Sequence, residues 1–136
     1  MSDKKVILTK EDKVATVTLN RPEFNNAIDL NLVKDLYDAF KDCHHDSSIR
    51  SVIFTGNGTM FSAGGDLSLF KKNADNLGPL VTDMTAYFHQ AITLMHRMEK
   101  PIITAINGTA AGGGLSLAIS GDIVISSDQA KFSCAY

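Results

Sequence analysis

Two glycine-rich segments carry the residues best able to do chemistry. Phe61-Ser62-Ala63-Gly64-Gly65-Asp66-Leu67 and Asn107-Gly108-Thr109-Ala110-Ala111-Gly112-Gly113-Gly114-Leu115 lie about fifty residues apart. Each follows an apolar, β-branched run that reads as a buried strand, and each leads into a segment that reads as a helix. Backbone N–H groups at such a junction have no internal partner and can bind an anion or a polarised carbonyl. Two junctions converging on one oxygen would form an oxyanion hole, able to hold a thioester enolate or a tetrahedral acyl adduct. Each donor there is worth on the order of 3 kcal/mol. Gly65 and Gly113 suit the task, because a peptide can approach a ligand closely only where the side chain is minimal. Gly113 would also open a helix, whose dipole adds to the attraction. Taken singly, either segment reads better as turn glycines that permit tight strand–helix packing.

Other polar groups are weaker candidates. His44-His45-Asp46 invites a metal site, but adjacent histidines point about 100° apart on a helix. Cationic groups closing a helix C-terminus are the better account. His89 and His96 lie on one helical segment without an acidic partner pattern and read as surface or flank residues. Gly114-Leu115-Ser116-Leu117-Ala118 loosely matches a serine nucleophile motif, yet Ser116 should lie inside a helix rather than on a sharp turn. Cys43 and Cys134 lack metal-ligand spacing and fit a reducing compartment. Cys134 reads as a small buried hydrophobe.

The elements that must position the glycines are legible from periodicity. Val6–Thr9 and Val14–Leu19 read as a hairpin around Lys10–Lys13, the second strand with Val and Leu on one face and Ala and Thr on the other. Asp29 can cap a helix whose stripe is Leu32, Val33, Leu36, Phe40 and Cys43. Ser51–Thr55 and Ile102–Ile106 read as buried strands. Residues 67–72 read as a short helix and 73–79 as a polar loop. Leu80–Glu99 is the strongest helix, with Val81, Met84, Phe88, Met95 and Met98 three or four apart. Its methionines are expected in the core rather than in a ligand groove. Leu115–Ser120 should be helical, Asp122–Ser126 a strand, and Lys131–Ser133 the start of another. The pattern is ββα followed by repeated strand–helix units, so residues 1–136 read as one α/β domain.

Bulk properties narrow the partners. With 136 residues, 44% hydrophobic and 21% charged, the chain can bury a core. A net charge of −2 gives no reason to expect nucleic acid or an anionic membrane. The polar start and the lack of a leader pattern point to a cytoplasmic protein. Residues 101–121 carry no charge and are long enough to span a bilayer. Three consecutive glycines and scattered Ser and Thr make them a poor membrane segment, and a buried strand, a glycine turn and a helix are expected instead.

Asn20-Arg21-Pro22 with Asn26-Ala27, the two glycine segments, and Gly121-Asp122 together resemble the crotonase, or enoyl-CoA hydratase/isomerase, superfamily in order and spacing over nearly the whole chain. The resemblance implies a crotonase-like spiral of repeated ββα units, an acyl-CoA ligand with no permanently bound cofactor, and trimers or dimers of trimers. It implies that the N–H groups of Gly65 and Gly113 hold the thioester oxygen, with Gly112 beside them. It implies that Glu23, Phe24, Asn25 and Ala27 form a first CoA-contacting loop, and that Ala63, Gly64, Asp66 and Leu67 line the adenine and pantetheine. For Arg21 two readings stand level, a loop salt bridge and a phosphate contact.

Two departures from that pattern bear on the reaction. Hydratases of the superfamily carry a catalytic glutamate where this chain has Ser116, and a second where it has Tyr136. A carboxylate pair is what positions water and moves its protons. Isomerase-type chemistry, a double-bond shift through a thioester enolate, needs one acid and is the preferred reading, with that acid expected beyond Tyr136. A hydratase-type lyase, a non-catalytic acyl-CoA binder or scaffold, and a serine hydrolase using Ser116 are the alternatives. The superfamily's members are nearly twice as long, so the chain is expected to be an N-terminal portion of a longer protein, with the C-terminal part of the fold absent.

Overall fold

The computed structural model describes residues 4–135. Strands β1 (Val6–Glu11) and β2 (Val14–Leu19) form an antiparallel hairpin, closed by Asp12 and Lys13 at positive φ. Helix α1 (Leu30–His45) leads to β3 (Ser51–Gly56) and β4 (Met60–Ser62). Helices α2 (Leu67–Lys72) and α3 (Leu77–Arg97) precede β5 (Ile102–Ile106) and β6 (Thr109–Ala111). A last short helix, α4 (Gly113–Ala118), precedes β7 (Ile123–Ser126) and β8 (Phe132–Ser133).

From β3 onward, successive strands go alternately to two sheets. The larger runs β1-β2-β3-β5-β7 and is parallel from β2 onward; the smaller runs β4-β6-β8 and is parallel throughout. Each pair β3–β4, β5–β6 and β7–β8 therefore adds one strand to each sheet, and the helices after β4 and β6 return the chain to begin again. This is a mixed α/β spiral of ββα units. Parallel neighbours leave their sheet at the same end. The chain therefore exits β4 and β6 side by side, and both exits are glycine segments.

The core follows the sequence periodicity. Asp29 caps α1, its carboxylate accepting from the Leu32 N–H at 2.7 Å. Leu32, Val33, Leu36, Phe40 and Cys43 are fully buried. The Phe40, Phe54 and Phe61 rings meet edge to face at 5.3 Å in both pairs, joining α1 to β3 and β4. Such side chains contribute roughly 1.5–3 kcal/mol each. His44 and His45 close α1, where the Lys100 ammonium also donates to the Cys43 and Asp46 carbonyls. The alternation in β2 is real but sorts differently from the expectation. Ala15 joins Val17 and Leu19 on the buried face, and Val14 sides with Thr16 and Thr18.

Other expectations are corrected. The short strands β4 and β6 lie inside stretches that had read as turn or glycine run. Each is three residues long, too short to show a period. The loop expected over 73–79 is a 3₁₀ turn, Ala74–Asn76, followed by the first turn of α3. Gly78 and Pro79 are tolerated there because the first N–H groups of a helix have no intrahelical acceptor. Cys134 is exposed rather than buried, beside the edge strand β8. The uncharged run 101–121 folds as β5, β6 and α4. Among the described residues no helix is long and apolar enough to cross a membrane.

Candidate active site

The two stretches expected to contact CoA are stitched together. Ala63 N–H donates to Asn25 O at 3.0 Å, Ile28 N–H to Gly64 O at 2.7 Å, and Asp66 N–H to Ile28 O at 3.0 Å. The Ser62 hydroxyl donates to Asn26 O at 2.8 Å. Gly65 and Ile28 form an isolated parallel bridge. Because Gly64 O and Asp66 N–H face Ile28, the N–H of Gly65 points the other way. Glu23, Phe24 and Asn25 are exposed, Ala27 is buried, and Leu67 projects into solvent with 77% of its surface exposed.

Gly64 holds the first glycine segment against the second. Its φ is +87°, and a Cβ there would lie 2.6 Å from Ala111 O and 3.4 Å from Gly113 N. Gly112 turns the chain into α4 at φ 52°, ψ −127°, and its N–H donates to Ser133 O at 3.0 Å. Its polar hydrogen is thus committed to β8. Gly113 is the first residue of α4. Among the described residues the N–H groups of Gly65 and Gly113 meet no acceptor.

Both glycines line one apolar cavity of about 190 Å³. A Cβ on Gly65 would meet the Phe70 ring at 2.9 Å, and one on Gly113 would meet Ile28 at 3.3 Å and the Phe88 ring at 3.8 Å. The remaining wall is Val33 of α1 with Val81, Met84, Thr85 and His89 of α3. The reading of Val81, Met84 and Phe88 as core stripe was incomplete. Met84 is buried, yet all three face the cavity. His89 had read as a flank residue and lies at the cavity wall while remaining exposed. The sequence signal was its position one turn beyond Thr85, on the side of the helix that carries the stripe.

The polar side chains beside the glycines are already engaged. Arg21 is 8% exposed. Its guanidinium pairs with Asp66 at 2.8 Å and Asp29 at 3.4 Å, donates to Ala27 O at 2.8 Å, and lies 4.4 Å over the Phe24 ring. Of the two readings for Arg21, the salt bridge holds; the side chain is turned inward. Asp66 caps α2 through the Leu69 N–H at 3.0 Å and accepts from Ser68 at 2.7 Å. Burial opposes its charge, but the Ser68 and Leu69 hydrogen bonds and the Arg21 guanidinium outweigh it and bring the carboxyl down to about 2. Asn26, missed as a site residue, accepts from Arg21 N–H at 2.8 Å and donates to Asn57 O and Met60 O at 2.9 Å each.

Ser116 is exposed within α4, and its carbonyl accepts from Ser120. Among the described residues neither it nor any Asp or Glu lines the cavity. Tyr136 lies outside the described residues. Burial pushes the Cys43 thiol up to about 11, which makes it a packing group rather than a nucleophile.

A parallel spiral of ββα units, with two glycine exits on one apolar cavity, is also what comparison with known proteins returns. The enoyl-CoA hydratase/isomerase family model matches residues 9–136, and the chain belongs to that family. It is 38% identical over 129 residues to the 1,2-epoxyphenylacetyl-CoA isomerase of Escherichia coli (strain K12), covering 93% of this chain and 48% of that protein. It is 38% identical over 128 residues to the short-chain-enoyl-CoA hydratase of Clostridium acetobutylicum, covering 93% and 48%. A crystal structure of an enoyl-CoA hydratase/carnithine racemase from Magnetospirillum magneticum superposes with a TM-score of 0.86 at 35% identity, covering 96% of this chain and 49% of that one. The chain spans about half the length of the curated relatives it matches.

Proposed function

We propose that this chain binds an acyl-CoA thioester and stabilises its enolate, with the N–H groups of Gly65 and Gly113 donating to the thioester oxygen. The observation that carries this reading is that, among the described residues, both N–H groups lack an acceptor and both glycines line one apolar cavity. An acyl chain enters such a cavity at little cost, and two fixed donors lower the energy of charge that develops on its carbonyl oxygen. The exposed residues Glu23, Phe24, Asn25 and Leu67, with Ala63 between them, would flank the CoA moiety. No permanently bound cofactor is part of the proposal. Assembly as a trimer or dimer of trimers, and a single-domain arrangement over residues 1–136, belong to the same reading.

Within the family, isomerase-type chemistry is the reaction proposed, a double-bond shift in an enoyl-CoA. The relatives' names include an isomerase and a hydratase, so the choice rests on the site. Hydration needs a water oriented between acid–base groups, and Ser116, where the resemblance implies one of the two carboxylates, is an exposed helix residue that does not line the cavity. The lack of any carboxylate on that wall also favours the second reading, an acyl-CoA binder without turnover.

The test is the carbonyl itself. A bound enoyl-CoA should show a lowered thioester C=O stretching frequency by difference Raman spectroscopy, reversed on adding excess CoA. Binding with an unshifted carbonyl would sink the oxyanion reading. Supplying 3-enoyl-CoA and 2-enoyl-CoA in turn then separates isomer formation from hydration and from binding alone.

A further inference from the structure

We infer that His89 is the group that removes and returns the substrate's proton. The inference rests on the acyl-CoA reading above and adds the acid–base half that the glycine segments lack. Among the described residues lining the cavity that holds Gly65 and Gly113, only Thr85 and His89, one turn apart on α3, have side chains with oxygen or nitrogen. Thr85 is spent: its hydroxyl donates to Val81 O at 2.8 Å. His89 is not. Among the described residues nothing hydrogen-bonds to its imidazole, and its only ring contact is with Phe88, edge to face at 6.0 Å. Phe88 packs against Gly113, so the ring beside the proposed oxyanion donor also props the imidazole.

The alternatives near the cavity are committed elsewhere. Asp66 and Asp29 face Arg21 and cap helices. Ser116 is absent from the wall. Among the described residues His89 is thus the sole titratable side chain lining the cavity. It comes from α3, whereas both oxygen-binding donors come from the glycine exits. With the thioester oxygen on the two N–H groups, the acyl chain would occupy the cavity that α3 and His89 wall.

The step balances without a co-reactant. Neutral imidazole takes the α-proton on its unprotonated ring nitrogen. The C–H electron pair becomes the Cα–C(O) double bond, and the carbonyl pair moves onto the oxygen held by Gly65 and Gly113. In a 3-enoyl thioester the extended enolate then accepts the same proton at the γ-carbon from the imidazolium, which leaves a 2-enoyl thioester and neutral His89. A single base positioned in this way contributes on the order of 10²–10⁴-fold.

The experiment measures deuterium entry at the α-carbon of butyryl-CoA in D₂O, by mass spectrometry, for the 136-residue chain. Binding is followed separately by competition with a fluorescent CoA thioester. His89→Gln and His89→Ala should bind butyryl-CoA within about twofold of the parent and lose about a hundredfold or more in exchange. Added imidazole should restore exchange to the alanine variant alone. The exposed His96→Gln, seven residues along the same helix, should exchange like the parent. Parent-like exchange in His89→Gln, or binding by the parent without exchange, overturns the role of His89 and leaves the acyl-CoA reading standing. A parent chain that binds no acyl-CoA overturns both.

Discussion

Two polar regions lie within a few residues of each other in this molecule and are built on opposite plans. Around Arg21, charge is buried and answered: two carboxylates, a carbonyl and an aromatic face surround one guanidinium, and only its Nε lacks a partner. Around Gly65 and Gly113 the lining is apolar and, among the described residues, the two N–H groups have no acceptor. Folding requires that buried polar groups be satisfied, and an unsatisfied one costs roughly 1–3 kcal/mol. The first region meets that requirement and holds the loops. The second leaves two half-buried N–H groups without a protein acceptor, donors that a ligand can take up.

If that contrast is right, substitutions in the first region should cost stability, and one in the second should cost binding or rate. The largest effect is expected from Arg21→Ala, which strands the Asp66 carboxylate: a loss of about 4 kcal/mol in urea unfolding, where a loss under 1 kcal/mol would mean that the network does not hold the loops. Gly64→Ala comes next, at about 3 kcal/mol, since it forces an L-residue to φ +87° and a Cβ against Ala111 O. Gly113→Pro removes one N–H at a helix position that tolerates proline. The thermal midpoint should move little, while α-proton exchange on an acyl-CoA should fall about a hundredfold; equal losses in both would erase the distinction between the regions.

The smallest effect is a titration. Asp66 sits at about 2 in the folded chain against an ordinary 3.8. A depressed folded value means that the unfolded chain binds the proton first as the pH falls. The associated stability, about 2 kcal/mol, is fully present above pH 4 and lost as the pH drops toward 2. Unfolding of Asp66→Asn should lack that component of the acid dependence. An unchanged acid profile in that variant would show that Asp66 is not the group responsible.

Much of the fold was legible because it rests on period and punctuation. The α1 stripe, the Asp29 cap and the strands β2, β3 and β5 follow from alternation and helical spacing, which are local. The pair of strands β4 and β6 was not legible, since three residues carry no period and their pairing partners are distant in sequence. The same limit applied to the site. Gly65 and Gly113 could be picked out by residue type, but Val81, Met84, Phe88 and His89 could not be assigned to the cavity. A helix face shows that it is buried, not against what.

Residue type and spacing by themselves determined that the chain holds two glycine exits from buried strands and that it resembles the enoyl-CoA hydratase/isomerase family, a resemblance that in turn implies a carboxylate position occupied by Ser116. The tertiary structure decided three further matters. It turned Arg21 inward to an ion pair, it spent the Gly112 N–H on β8 while leaving that of Gly113 unpaired, and it brought His89 to the wall shared by both glycines. Each depends on which segments pack side by side. Parallel pairing of β4 with β6 unites residues nearly fifty positions apart, and no local pattern in the chain encodes that contact.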